Sequence, residues 1–280
     1  MRRFFYSYVY RALPIMLPAL FLLGCGGGSD VDDVTDVDTA SQQNISSKIT
    51  ENIFYKIPSP AELYIFLKES GSKFNKDATN PTSNVSKYNT TYSKALNFGI
   101  YASDLAYTSM FEQNQQTLDY YAVAKQLGDE LGLMEGFDQD VADRIDKNIN
   151  NPDSLYRITS EAYWDAYTFL EANDKTNILP YISIGSWLES VHIAIKSVNK
   201  FSAENEVVIR VAEQEMLLEN LLAFLYTAEK ADQLDNIIND LKELMTIYEE
   251  LYDNTDEIIT EAQFKKVSAK VEQMRNSFIS

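Results

Sequence analysis

From Pro60 onward the apolar residues return every three or four positions, and no stretch alternates as a half-buried strand would. A chain patterned this way buries its apolar stripes helix against helix. Ser59-Pro60-Ala61-Glu62 opens a first helix, with Ser59 as cap, Pro60 in the first turn and Glu62 closing a capping box; Gly71 stops it after Ser70. Residues 71–90 carry Asn, Ser, Thr, Gly and Pro at loop density. The next helix runs from Thr91 to about Gln113. Its small residues Ala95, Gly99, Ala102, Ala106 and Ser109 form a smooth stripe where another helix backbone can approach closely, and Asn97, Tyr101, Asp104 and Thr108 form a polar stripe.

Further helices follow. One spans Thr117 to Leu131 and ends near Gly132. One starts at Asn151-Pro152 with Leu155, Ile158, Ala162, Ala166 and Phe169 inward. One is headed by Pro180, with a ridge of Ile184, Leu188, Val191, Ile195 and Val198. Ser202 caps a long helix carrying Val207, Val211, Leu218, Leu221, Leu222 and Leu225. The cleanest ridge is Leu234, Ile238, Leu241, Met245, Tyr248 and Tyr252. A second capping box, Thr260 to Gln263, precedes Phe264, Val267, Val271, Met274 and Phe278. The expected fold is all-α, a bundle of about eight to ten antiparallel amphipathic helices. No repeat length recurs, which argues against a solenoid, although stacked helix pairs stay open.

The first 25 residues read as an address. Arg2, Arg3 and Arg11 precede a twelve-residue apolar run, Ala12 to Leu23, interrupted by Pro14 and Pro18. A bilayer span needs ~20 residues, so this run fits the apolar core of a secretory signal. It ends Leu22-Leu23-Gly24-Cys25, with the single cysteine of the chain. This resembles the bacterial lipobox, which implies cleavage before Cys25, diacylation of its thiol and acylation of the new amino terminus. Several acyl chains anchor firmly, at ~0.8 kcal/mol per buried CH₂. Residues 26–43 hold no basic residue and no aromatic, and read as a flexible acidic tether. Asp30, Asp32, Asp33, Asp36 and Asp38 lack the turn glycine and terminal glutamate of an EF-hand. The expected division is 1–24 signal peptide, 25–43 tether and 44–280 a single helical domain.

The net charge of −18 becomes −21 once the signal leaves, because it holds three Arg and no acid. Such a body is repelled by anionic lipid, so the lipid must do the anchoring, and it lacks the clustered Lys and Arg that nucleic acid requires. One Cys and one His exclude a disulfide framework, a cysteine-based zinc site and any two-histidine metal motif. Glu189-x-x-His192 matches half of a di-iron site whose other half is missing, so a partly buried, hydrogen-bonded His192 is the favoured reading. The nearest approach to a nucleophile elbow, Ser183-Ile184-Gly185-Ser186-Trp187, lacks the flanking glycines and sits in a helical pattern. No catalytic residue, metal or cofactor is assigned. Tyr is abundant at 18 residues, with Tyr101, Tyr107, Tyr120, Tyr121, Tyr163, Trp164 and Tyr167 close in sequence. Core filling is favoured for them over a binding face, for which Tyr101, Asp104 and Tyr107 are the candidate residues.

Two stretches carry a resemblance. Ile57-Pro58-Ser59-Pro60-Ala61-Glu62-Leu63 and Lys94-Ala95-Leu96-Asn97-Phe98-Gly99-Ile100-Tyr101-Ala102-Ser103-Asp104-Leu105-Ala106-Tyr107 together resemble an uncharacterised lipoprotein family of Bacteroidota. The acidic Ser29-Asp30-Val31-Asp32-Asp33 after the cysteine resembles the signal that carries such lipoproteins to the outer face of the outer membrane. The resemblance implies an outer-membrane address, with the periplasmic and surface faces both open, and adds no catalytic residue. The expected function is a lipid-anchored, non-enzymatic binding or scaffold module with a protein or glycan partner. Two rivals are capture of a glycan or peptide nutrient on a Tyr-rich face, and a metal-dependent enzyme through Glu189 and His192.

Overall fold

A computed structural model describes residues 60–133, 141–148, 151, 154, 157–158, 161, 169–170, 172–173, 176–227, 234–254 and 258–280. All of them belong to the unit Gln43–Ser280, one of two into which the chain divides, the other being Met1–Gln42. The signal, Cys25, the tether, the Ser59 cap, Tyr163, Trp164 and Tyr167 lie outside the described residues. Among the described residues every regular element is helical: α1 (Pro60–Glu69), α2 (Thr91–Met110), α3 (Asn114–Leu131), α4 (Val141–Lys147), α5 (Leu179–Ser197), α6 (Glu206–Ala212), α7 (Gln214–Thr227), α8 (Leu234–Glu249) and α9 (Glu261–Ile279), with short 3-10 turns between some of them. The all-α bundle that the periodicity demands is the fold found.

The bundle is built on α2 and α5. Each is buried on most of its circumference, and α5 carries only two charged residues, Glu189 and Lys196. The two helices cross at two glycines. A methyl group on Gly99 would stand 2.1 Å from the Ile182 carbonyl oxygen, and one on Gly185 would stand 2.0 Å from that of Leu96. The small-residue stripe of α2 therefore meets a helix backbone at Gly99. Gly185, the glycine of the elbow-like stretch, serves the same crossing.

Direction follows connection length. The short links between α2 and α3 and between α8 and α9 give antiparallel neighbours: Lys94 pairs with Glu130, and Lys266 with Glu250. The central pair runs parallel instead. Tyr92 stacks on Tyr181, Gly99 meets Ile182 and Ser186, and further along Asp104 meets Glu189. A long connection lets the chain return to the starting end. The loop after α1 does the same, so Tyr64 meets Ser103 while Lys68 reaches the Met110 carbonyl.

Three details differ from the sequence reading. The long helix expected from Ser202 is two helices, with α6 capped by Asn205, whose side chain accepts from Val207 and Val208 N–H, and with a break at Glu213. In α8 the buried ridge keeps Leu234, Leu241 and Tyr248 as expected but takes Ile237 and Leu244 in place of Ile238 and Met245, which are half-buried. Both rows are apolar because the helix packs against α7 and α9, which widens the buried stripe. The short α4 gave no distinct signal. Ser154, Arg157, Ile158, Glu161, Phe169, Leu170 and Ala172 are helical, as expected for that stretch.

The expected Thr260 capping box is formed: its hydroxyl accepts from Gln263 N–H, while the Gln263 side chain accepts from Thr260 N–H. Gln263 also donates to the Glu250 carbonyl. Thr260→Ala should lower stability by about 1 kcal/mol, read as a fall in the urea midpoint with unchanged slope. An unchanged midpoint would show that the Gln263 network holds the end of α9 without the cap.

Candidate functional site

The described residues concentrate their buried polar groups at one junction. α2 contributes Asp104, α5 Glu189 and α9 Arg275, and the loop before α2 contributes Ala78, Thr79 and Asn80. Asp104 and Glu189 are fully buried and Arg275 nearly so. Arg275 grips Glu189 with two parallel hydrogen bonds, Nε to Oε2 at 2.6 Å and Nη2 to Oε1 at 2.7 Å, and Nη2 also donates to the Ala78 carbonyl at 3.2 Å. This fork geometry is the strong form of the Arg–carboxylate pair. The Asn80 backbone N–H donates to Asp104 Oδ2 at 3.1 Å. The other oxygen, Oδ1, meets no N–H or hydroxyl, and the Glu189 carboxyl lies against that of Asp104.

Tyrosines enclose the junction. Tyr120 donates to Thr79 Oγ1 at 2.7 Å and to the Asn80 carbonyl at 3.0 Å. Tyr101 donates to the Pro81 carbonyl at 2.9 Å, and the Tyr107 hydroxyl accepts from Asn75 N–H at 2.8 Å. Asn80 donates to the Tyr88 hydroxyl, and Tyr64 shares a hydrogen bond with Ser103. The 71–90 loop is thus tied down by side chains of α2 and α3, so that Ala78, Thr79 and Asn80 are buried. Asn97, fully buried, donates to the Phe278 carbonyl and secures the far end of α9.

Burial sets the electrostatics. It pushes the Asp104 carboxyl well above the usual carboxylate range, with the neighbouring Glu189 charge adding to the rise and Arg275 opposing it. Burial raises Glu189 as well, against the hydrogen bonds and charge of Arg275. His192, one turn beyond Glu189, is 3% exposed, and burial with the charges of Arg275 and Lys196 lowers it to about 3. Its imidazole is neutral at physiological pH. Burial also raises Tyr64, Tyr88, Tyr101, Tyr107 and Tyr120.

Tyr101, Asp104 and Tyr107, the candidate binding face, are brought together on α2 but point inward, exposed by 0%, 0% and 1%. Their polar atoms hold the loop and the acid pair. Among the described residues no group of three or more His, Cys, Asp or Glu is placed to hold a metal ion, and Glu189 is engaged by Arg275. A general acid or base must come within hydrogen-bond reach of its substrate, and these carboxyls are sealed from solvent. Sequence reasoning missed Arg275 and Asn80. Arg275 does sit beside the apolar ridge Val271–Met274–Phe278, where a charge is out of place; nothing in the loop sequence marks Asn80.

Compared with known proteins, the chain matches no family model, no curated protein and no solved structure. No helix among the described residues is long and apolar enough to cross a membrane.

Proposed function

We propose that this chain is a lipid-anchored lipoprotein of the outer membrane, whose helical body acts as a non-enzymatic binding or scaffold module. The observation that carries the reading is Leu22-Leu23-Gly24-Cys25, which places the only cysteine at the end of a short apolar run and ahead of an acidic tether. The body supports it indirectly. The polar groups that would draw attention as a reactive set, Asp104, Glu189 and Arg275, join helices to a loop beneath the surface. A lipid at Cys25 would attach the body to the membrane while the tether holds it at a distance, a placement suited to meeting a partner in the envelope.

Cys25→Ala should abolish incorporation of labelled fatty acid and leave the precursor uncut. Label that still enters the variant would remove the anchor from Cys25. A glycan or peptide that binds the purified protein would replace the scaffold reading with nutrient capture.

A further inference from the structure

We propose that Asp104 and Glu189 hold a single proton between them at neutral pH, and that this proton is a latch joining α2, α5, α9 and the Ala78–Asn80 segment. Two carboxyls and one guanidinium meet in a space closed to solvent. Glu189 receives both arms of Arg275 and is the ionised member. Asp104 Oδ2 takes the Asn80 N–H, Oδ1 finds no donor from the rest of the described protein, and the two carboxyls lie against each other. With both acids ionised, Oδ1 would be a bare buried charge against another charge. With one proton on Oδ1, Asp104 donates to Glu189, every oxygen is satisfied, and the junction is electrically neutral. The raised titration of Asp104 agrees with this arrangement.

Among the described residues, no other group facing the pair changes charge above pH 7 and below the tyrosine range. α1 presents Tyr64, the loop Tyr88, α2 Tyr101 and Tyr107, and α3 Tyr120, all raised and neutral. α5 presents His192, neutral above about 3, and Lys196, which pairs with Glu272 of α9; α9 presents Arg275. The sign of the pH effect follows. Asp104 is raised in the fold, so the folded state binds more protons than the unfolded one, and stability is lost as pH climbs from the ordinary carboxylate value toward the folded one. His192 is depressed to about 3, so it adds stability with rising pH up to its ordinary value of 6.5. The two effects oppose each other below pH 6.5. Above it the acid pair acts alone among the described groups that face the junction, and raising the pH draws off the latch proton and loosens the junction.

Asp104→Asn tests this, because its amide can donate to Glu189 and accept from Asn80 with no proton to lose. The ratio of the variant and wild-type unfolding constants should change about tenfold per pH unit above pH 7, with the wild type weakening, until the pair ionises. A ratio constant from pH 7 to 9 would overturn the latch. The wild-type protein alone supplies the second measurement. Its infrared spectrum at pH 7 should show the carbonyl stretch of one protonated carboxylic acid, lost on alkaline titration. A spectrum holding carboxylate bands only would overturn the proposal even if the variant failed to fold.

Discussion

Gly99→Ala should be among the most damaging single substitutions in the body, lowering stability by about 3 kcal/mol or more, at the upper end of overpacking effects. The added methyl would lie 2.1 Å from the Ile182 carbonyl oxygen and 2.9 Å from the Ser186 nitrogen. Unstrained non-bonded contacts stand near ~3.5–4 Å. Both obstacles are backbone, so no rotamer change relieves them, and α2 must move away from α5. Gly185→Ala should behave alike, since its methyl would meet the Leu96 carbonyl at 2.0 Å. Gly71→Ala is the control. Nothing lies within 4 Å of its Cβ position, and its cost is the left-handed backbone at φ +79°, about 1–2 kcal/mol. Urea midpoints for the three variants decide the matter. A Gly99→Ala protein no weaker than Gly71→Ala would mean that the two helices do not cross this closely.

Arg275→Met should cost about 3–5 kcal/mol, the penalty for stranding one member of a buried ion pair. Glu189 would then keep no cation within hydrogen-bond reach, in full burial and beside Asp104. The Ala78 carbonyl would lose its donor too. Domains of this kind keep only about 5–15 kcal/mol of net stability, so the variant would stand close to unfolding. Glu189→Gln combined with Arg275→Met should recover much of the loss, because no uncompensated charge remains. If the double variant were as weak as Arg275→Met alone, packing of the long side chain rather than charge would be the source of the effect.

The helical periods, the Thr260 box, the Gly132 stop and the smooth stripe through Gly99 are local patterns, and each was legible before the fold was known. Asp104 stood out as a polar residue in mid-helix, and Glu189 as one turn from the only histidine. Their joining was not legible. It depends on α5 lying parallel to α2, which a connection of many residues permits but does not encode in any short motif. Asn80 reaches the pair from 24 residues before Asp104, and Arg275 from 86 residues after Glu189. The α8 ridge was right at Leu234, Leu241 and Tyr248 and one position off at Ile237 and Leu244, because two neighbouring rows are apolar and periodicity alone cannot rank them.

Arg275 bonds to Glu189 across 86 residues and to Ala78 across 197, while Asn97 holds the Phe278 carbonyl across 181. Pairings this distant in sequence slow folding, because chain closure must come before the contact rewards it. A chain emerging amino end first could bring α2 and α5 together early, yet it would hold Glu189 without its cation until Arg275 arrived. A nascent or clipped chain ending before residue 275 would therefore leave both Glu189 and the Ala78 carbonyl without the donor that joins them.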